Sequence, residues 1–177
     1  MSSLLEEAFE APLPPPGPSS VAPAPPVPSF RVRREVAGVE TELLIQTFVD
    51  RVFVSVSQNG KVGCLTQATL PAVHPLLAPP TAASQPTALS ALPPPPASIA
   101  LTALLGSAPD PTLHDVYVSQ IATLVWWSLQ LASAPRRPVI VGLALKRSPG
   151  DDEVDAEAER ERFGGVMDLV AAWPGPQ

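Results

Sequence analysis

The chain has few of the side chains that enzyme and metal chemistry most often uses. Its 177 residues include one cysteine, Cys64, and two histidines, His74 and His114. A single cysteine excludes an internal disulfide framework, and these three residues have no spacing that predicts a metal site. Charged residues make up only 16% of the chain and the net charge is −6. The one basic run, Arg31-Val32-Arg33-Arg34, fits a solvated strand face, so we predict no nucleic-acid binding and no cofactor.

The chain also lacks a long apolar run. The longest uninterrupted one in the helical region, "LVWW", is far shorter than a membrane span. The first residues, "MSSLLEEAFEAP", have no basic segment followed by an apolar one, so they predict no secretory signal. We expect a protein of the cytoplasm, with the nucleus as a further location.

Proline is the residue in excess. Of the 25 prolines, nine precede Phe30 and eleven lie from Pro71 to Pro111. Segments this rich in proline favour an extended conformation and cannot form helices or central strands. We predict a disordered extension at 1–29 and one domain at 30–173, with a mobile proline-rich loop inserted at 71–98.

Residues 30–70 predict four antiparallel strands in two hairpins. "FRVRREVA" and "ETELLIQTF" are β-prone runs joined through Gly38. "RVFVSVSQ" and "KVGCLTQATL" flank Asn59-Gly60, a dipeptide typical of a type I′ hairpin turn. Gly63 is a candidate β-bulge in the second hairpin.

The rest of the chain predicts two strands and two helices. "SIALTALLG" and "RPVIVGLALKR" are strands, the second apolar enough to be central. Residues 111–134 have the periodicity of a helix, which either Asp110 or a Thr112–Asp115 capping box could begin. "DDEVDAEAERERFGGVMDLVAAW" predicts a closing helix that Gly164-Gly165 weakens or kinks. The fold class is α+β, an antiparallel sheet of about six strands flanked by two helices.

The strand pattern raises the question of what covers the second face of the sheet. Valines at 52, 54 and 56 can lie under the helices, yet the residues between them carry no charge. Such an apolar face is larger than a monomer usually exposes, and a second sheet would bury on the order of 800 Å² per partner. The candidate partner-binding residues on the sheet are Phe53, Ser55, Ser57, Ile140 and Ala144. A second apolar stripe on the helix adds Val118 and Trp126.

The sequence contains few residues that could form a catalytic site. A Cys64–His114–Asp115 arrangement would be the most plausible nucleophilic site, but Cys64 is more typical of a small buried apolar residue. His74 lies in the predicted mobile insertion. The acidic run at 151–159 suits a solvated helix face and lacks the glycine of a calcium loop. We therefore predict that the protein is not an enzyme.

Several strings occur in the order found in one family. "ETELLIQTFVDRVFVSVSQNGKVGCL", "LLGSAPDPTLHDVYVSQIATLVWW" and "VIVGLALKR" resemble segments of the proteasome assembly chaperone 3 family. Gln58, Gly60, Lys61 and Gly63 match its Gln-x-Gly-Lys-x-Gly turn. The proline-rich tail and insertion are longer than the family carries. The terminus "AAWPGPQ" lacks the hydrophobic–Tyr–any ending that other chaperones insert into alpha-ring pockets.

The resemblance implies a non-catalytic chaperone for the alpha ring of the proteasome core particle. It implies a heterodimer with a related small chaperone, the fourth of the family, although a homodimer fits the sequence equally. Proteasome alpha-type subunits would be the clients, and the sequence does not specify which one. The alternative from the residues alone is a small sheet-and-helix scaffold or adaptor with other clients.

Overall fold

A computed structural model describes residues 27–58, 60–77, 92–146 and 156–176. The described residues form six strands in one sheet and two helices, which confirms the predicted α+β class. In chain order the elements are β1 (Ser29–Val36), β2 (Val39–Thr47), β3 (Val52–Gln58), β4 (Cys64–Thr69), β5 (Ala100–Leu105), α1 (Pro111–Leu131), β6 (Val139–Ala144) and α2 (Ala156–Ala171).

The first hairpin forms as predicted. β1 and β2 pair antiparallel from Ser29 opposite Gln46 to Val36 opposite Val39. The two turn residues, Ala37 and Gly38, both have positive φ angles, 47° and 73°. Positive φ at both central positions is the geometry of a type I′ turn, whose twist matches that of the strands.

The second predicted hairpin is wrong. The strand order is β1-β2-β3-β6-β4-β5, so β6 lies between β3 and β4. β6 pairs parallel with β3 and antiparallel with β4. The predicted central position of β6 is therefore confirmed, and the sheet is mixed but mostly antiparallel. An apolar strand such as β6 gains most when neighbours cover both of its edges, and this outweighs the local hairpin signal of Asn59-Gly60.

Gly63 has a different role from the predicted bulge. The segment 60–63 crosses the carboxyl end of β6 to connect β3 with β4. A Cβ atom on Gly63 would lie 2.0 Å from the Leu143 carbonyl oxygen, and its φ is +72°. The register shift of the sheet lies instead between Leu65 and Thr66, where β4 pairs with β5.

Helix α1 begins at the predicted cap. Asp110 accepts a hydrogen bond from the Leu113 amide at 3.0 Å through Oδ1, and Pro111 follows at the first helical position. Of the two candidates, Asp110 rather than the Thr112–Asp115 box is thus the N-cap.

Helix α2 runs from Ala156 to Ala171 without interruption at Gly164-Gly165. The weakening stays a prediction, and Gly165 has a packing role, since it lets the helix approach β1. A Cβ atom at Gly165 would lie 2.7 Å from Val36 Cγ1. α2 also packs on α1, where the Tyr117 and Phe163 rings meet edge to face, 5.0 Å apart. The Tyr117 hydroxyl donates to Glu159 at 2.6 Å.

Parts of the proline-rich insertion pack closely on the domain. Pro93 and Pro96 are buried, and the Pro93 carbonyl accepts a hydrogen bond from Gln120 at 2.9 Å. Arg136 donates to the carbonyls of Pro71 and His74, which holds that turn in place. The extension at 1–26, the middle of the insertion at 78–91 and the acidic residues 151–155 lie outside the described residues.

Candidate interaction surface

Both described helices lie on the same face of the sheet. Leu43, Ile45 and Val54 point to that face and are at most 1% exposed. They pack with residues of α1 and α2 in a single core. No described helix packs on the opposite face, which we call the open face.

The strand registers identify the residues of the open face. One row crosses the sheet as Ser29, Gln46, Phe53, Ile140, Gln67 and Thr102. The next row is Arg31, Leu44, Ser55, Gly142, Leu65 and Leu105. Arg33, Glu42, Ser57 and Ala144 form a third, shorter row.

The centre of the open face is apolar and uncharged. Phe53 and Ile140 are neighbours on β3 and β6, and both are only half-buried although the strands themselves are central. Leu44 and Leu65 extend the apolar area onto β2 and β4 with similar exposure. Gly142 lies between Ser55 and Leu65 and is itself buried.

The segment 60–63 borders this apolar centre. A Cβ atom on Gly142 would lie 3.2 Å from Val62 Cγ1 and 3.0 Å from Leu65 Cδ2, so Val62 lies over the glycine. Val62 itself remains 50% exposed. It therefore adds an apolar side chain above the plane of the strands at the carboxyl end of β6.

The β1 edge of the open face is charged. Glu42 lies between Arg31 and Arg33, and its two carboxylate oxygens each accept a hydrogen bond from one of them. The hydrogen bond from Arg31 is the main cause that lowers the pKa of Glu42. All three side chains remain partly solvated, which is typical of a rim rather than of a buried interface centre.

The structure places the five sheet residues of the predicted partner surface together. Phe53, Ser55 and Ser57 lie on the open face of β3, beside Ile140 and Ala144 of β6. Ser55 is only 8% exposed, and the Ser57 hydroxyl is buried without a hydrogen-bond partner among the described residues. The accessible part of this group is therefore mainly Phe53 and Ile140.

The two helix residues of the prediction do not belong to this surface. Val118 is 0% and Trp126 1% exposed within the chain itself. The Trp126 indole donates to the Arg137 carbonyl at 2.8 Å. α1 packs against the sheet and α2, and its Gln120 donates a hydrogen bond to Pro93 of the insertion. Its second apolar stripe is therefore buried within the chain.

Sequence reasoning missed Leu44, Val62 and Leu65 as members of the open face. Leu43 and Leu44 are adjacent in a strand, so one of them must point away from the core. By the same alternation, Leu65 and its neighbour Thr66 point to opposite faces of the sheet. Val62 gave no such signal, because its position depends on the crossing of β6.

The residues considered for nucleophilic catalysis do not form a catalytic pair. Cys64 and His114 line one cavity of about 400 Å³ at the carboxyl end of β6. His114 Nε2, however, lies 2.9 Å from Thr66 Oγ1, and no hydrogen bond among the described residues joins it to Cys64. Burial lowers the pKa of His114, and Asp115 only partly opposes this. The geometry does not activate the thiol.

Metal and membrane features are equally sparse in the part of the chain that the structure describes. Its residues include no cluster of three or more histidine, cysteine, aspartate or glutamate side chains placed to hold a metal ion. None of its helices is long and apolar enough to cross a membrane.

Fold and surface together define an α+β protein whose sheet is covered on one face by its own helices. A search of known protein-family models and of curated proteins found no match. Among solved structures the chain is similar to one described as "Crystal Structure of a Novel Chaperone Complex for Yeast 20S Proteasome Assembly". That match has a TM-score of 0.46 and 16% identity over 81% of this chain and 97% of the other. At these values the likeness does not by itself indicate function.

Proposed function

We propose that this chain is a non-catalytic chaperone that promotes assembly of the alpha ring of the proteasome core particle. It acts as a dimer with a related small chaperone, and the open face is the dimer surface. We infer the dimer from the uncovered apolar centre of the open face, which is formed by Phe53, Ile140, Leu44 and Leu65. The sequence resemblance to assembly chaperone 3 supplies the client class. A chaperone complex for yeast proteasome assembly is also the subject of the similar solved structure, although the proposal does not depend on it.

The chemistry of the open face favours a second sheet as its partner. Its centre is apolar and free of charge, and stacked sheets pack about 10 Å apart through such faces. The Arg31–Glu42–Arg33 group lies at one edge, where it can stay hydrated at the rim of the interface. A sheet-on-sheet contact across β3, β6 and β4 would approach the standard size of a stable complex, about 800 Å² per partner.

The domain that performs this function is the predicted one, residues 30–173, with the insertion at 71–98. Its carboxyl end is held against α1. Trp173 is 4% exposed, and its carbonyl accepts a hydrogen bond from Ser128.

Assembly would proceed by differential binding. The dimer has affinity for alpha-type subunits while their neighbours are absent, and it leaves when later subunits compete for the same surface or clash with it. Such a cycle requires no hydrolysis.

Affinity purification with a matched pair of variants tests the proposal. Ile140→Glu places a carboxylate in the centre of the open face, whereas Val49→Glu makes a similar change at a loop residue that is 93% exposed. We expect the tagged wild-type chain and Val49→Glu to co-purify with alpha-type proteasome subunits and a small related chaperone. Ile140→Glu should lose the small chaperone while keeping a cooperative thermal unfolding transition.

Each outcome has a clear meaning. Absence of alpha-type subunits from the wild-type purification would contradict the assembly function. A small companion with a different set of clients would favour the scaffold or adaptor alternative. Equal retention of the companion by both variants would show that the open face is not the dimer surface.

A further inference from the structure

The two edges of the sheet differ in their protection against further strand pairing. β1 carries Arg31, Arg33, Arg34 and Glu35, and charged side chains are the usual way to prevent edge-to-edge pairing. β5, with the sequence ALTALL, carries no charge, and no described strand pairs with its outer edge. Leu104 and Leu105 are 48% and 62% exposed.

A groove lies directly beside this unprotected edge. α1 packs mainly on β6 and β4, and a cavity of about 340 Å³ lies between β5 and the first turns of the helix. Leu101 and Ala103 of β5 form one wall, and Pro111 and Asp115 of α1 form another. The same two α1 residues line a second cavity, which contains the 50% exposed Val116 and extends toward Pro95.

This combination matches the way in which folded domains bind extended segments. The segment adds a strand to an open edge, its main chain supplies hydrogen bonds, and alternate side chains enter a groove beside the edge. We propose that β5 and the β5–α1 groove bind an extended segment of another protein by strand addition. The inference rests on this edge and groove and does not depend on the proposed function.

The charge of the groove specifies the chemistry of the occupant. Asp115 is exposed and lines both cavities, while none of the described lining residues of either cavity is lysine or arginine. A second copy of this chain would bring another β5 and another Asp115 to the same place. A segment with alternating apolar residues and at least one lysine or arginine is the better complement.

Selection from a display library of short random peptides tests the proposal on the full chain. Ala103→Lys adds a cation on the groove side of β5, and Val49→Lys makes a comparable change at a loop residue that is 93% exposed. We expect selected peptides to alternate apolar residues with lysine or arginine. By fluorescence anisotropy, Ala103→Lys should weaken their binding by about tenfold or more, and Val49→Lys by less than about twofold.

Two further measurements complete the test. Asp115→Asn should weaken the binding of basic peptides by about two- to fivefold, as expected for a solvent-exposed ion pair, and leave the binding of neutral peptides unchanged. Methylation of alternate peptide amides should abolish binding, since it removes the main-chain donors. A selection without enrichment would overturn the proposal, as would peptides that bind Ala103→Lys as well as wild type. A wild-type self-association abolished by Ala103→Lys would show that a second copy occupies the edge instead.

Discussion

Replacing glycines in the segment 60–63 tests whether β6 lies between β3 and β4. Gly60 and Gly63 have nearly equal φ angles, +68° and +72°. An alanine at either position therefore has the same backbone cost, about 1–2 kcal/mol, partly offset by about 0.4–1 kcal/mol from the less flexible unfolded chain. The steric environments differ, because nothing lies within 4 Å of a Cβ atom at Gly60.

At Gly63 the added methyl group would overlap backbone atoms of β6. Its Cβ would lie 2.0 Å from the Leu143 carbonyl oxygen and 2.9 Å from Ala144 Cα. No rotamer change relieves an overlap with the main chain, so the crossing segment must move by about 1 Å or break contact with β6. We expect Gly60→Ala to lose about 0.5–1.5 kcal/mol of unfolding free energy. Gly63→Ala should lose about 3 kcal/mol or more.

Urea denaturation followed by fluorescence of the three tryptophans measures both losses in the full chain. Circular dichroism before denaturation establishes that each variant is folded. In a β3–β4 hairpin Gly63 would not approach Leu143, and the two substitutions would have similar effects. Equal losses for Gly60→Ala and Gly63→Ala would therefore refute the strand order.

Three further substitutions test single contacts. Asp110→Ala removes the α1 cap and should lower the unfolding free energy by about 1 kcal/mol, measured by urea denaturation, whereas no loss would show that another residue caps the helix. Burial lowers the pKa of His114 in the folded protein. The stability that the neutral His114 side chain contributes is therefore present above its pKa in the unfolded chain, about 6.5, and is lost as the pH falls toward its pKa in the folded protein. The melting temperature of the wild type should therefore fall more between pH 7.5 and 5.5 than that of His114→Gln. Equal falls in the two melting temperatures would contradict this burial effect. Gly165→Ala should destabilise the protein, because the added methyl group would meet Val36. This clash should outweigh the roughly 1 kcal/mol by which alanine favours a helix over glycine. A gain in melting temperature would show that α2 and β1 are less closely packed.

Local signals in the sequence predicted most of the elements. Gly38 and the alternating runs around it specified the first hairpin, since a tight turn and its flanking strands are close in sequence. Asp110, Pro111 and the apolar periodicity that follows specified the start of α1. The continuous apolar run at 139–144 indicated a central strand, because such runs are typical of strands in the middle of a sheet.

The strand order required information that no local pattern contains. Asn59-Gly60 is a hairpin signal whether or not another strand enters between its flanking strands. β6 follows β3 by about eighty residues in the chain, and its insertion depends on which strand best covers its edges. The short distance between Gly63 and Leu143 is the clearest local trace of the crossing, and it becomes visible only in the structure.

Only part of the candidate surface could be predicted, because the packing of distant segments also leaves no local pattern in the sequence. Alternation grouped Phe53 with Ser55 and Ser57 on one strand and Ile140 with Ala144 on another, and the strand register places the two groups on one face. Alternation did not show that Val118 and Trp126 are enclosed within the chain. A proline-rich segment also packs on α1, where Pro93 accepts a hydrogen bond from Gln120, and composition predicts such a segment only as a loop.

Sedimentation velocity of the chain purified from cells that express it naturally is the most direct test of the central claim. We expect the wild-type protein to sediment as a dimer, with a related chaperone or with its own copy, and Ile140→Glu to sediment as a single chain. A wild-type protein that stays a compact monomer at micromolar concentration, with no companion protein, would contradict the claim that the open face requires a partner.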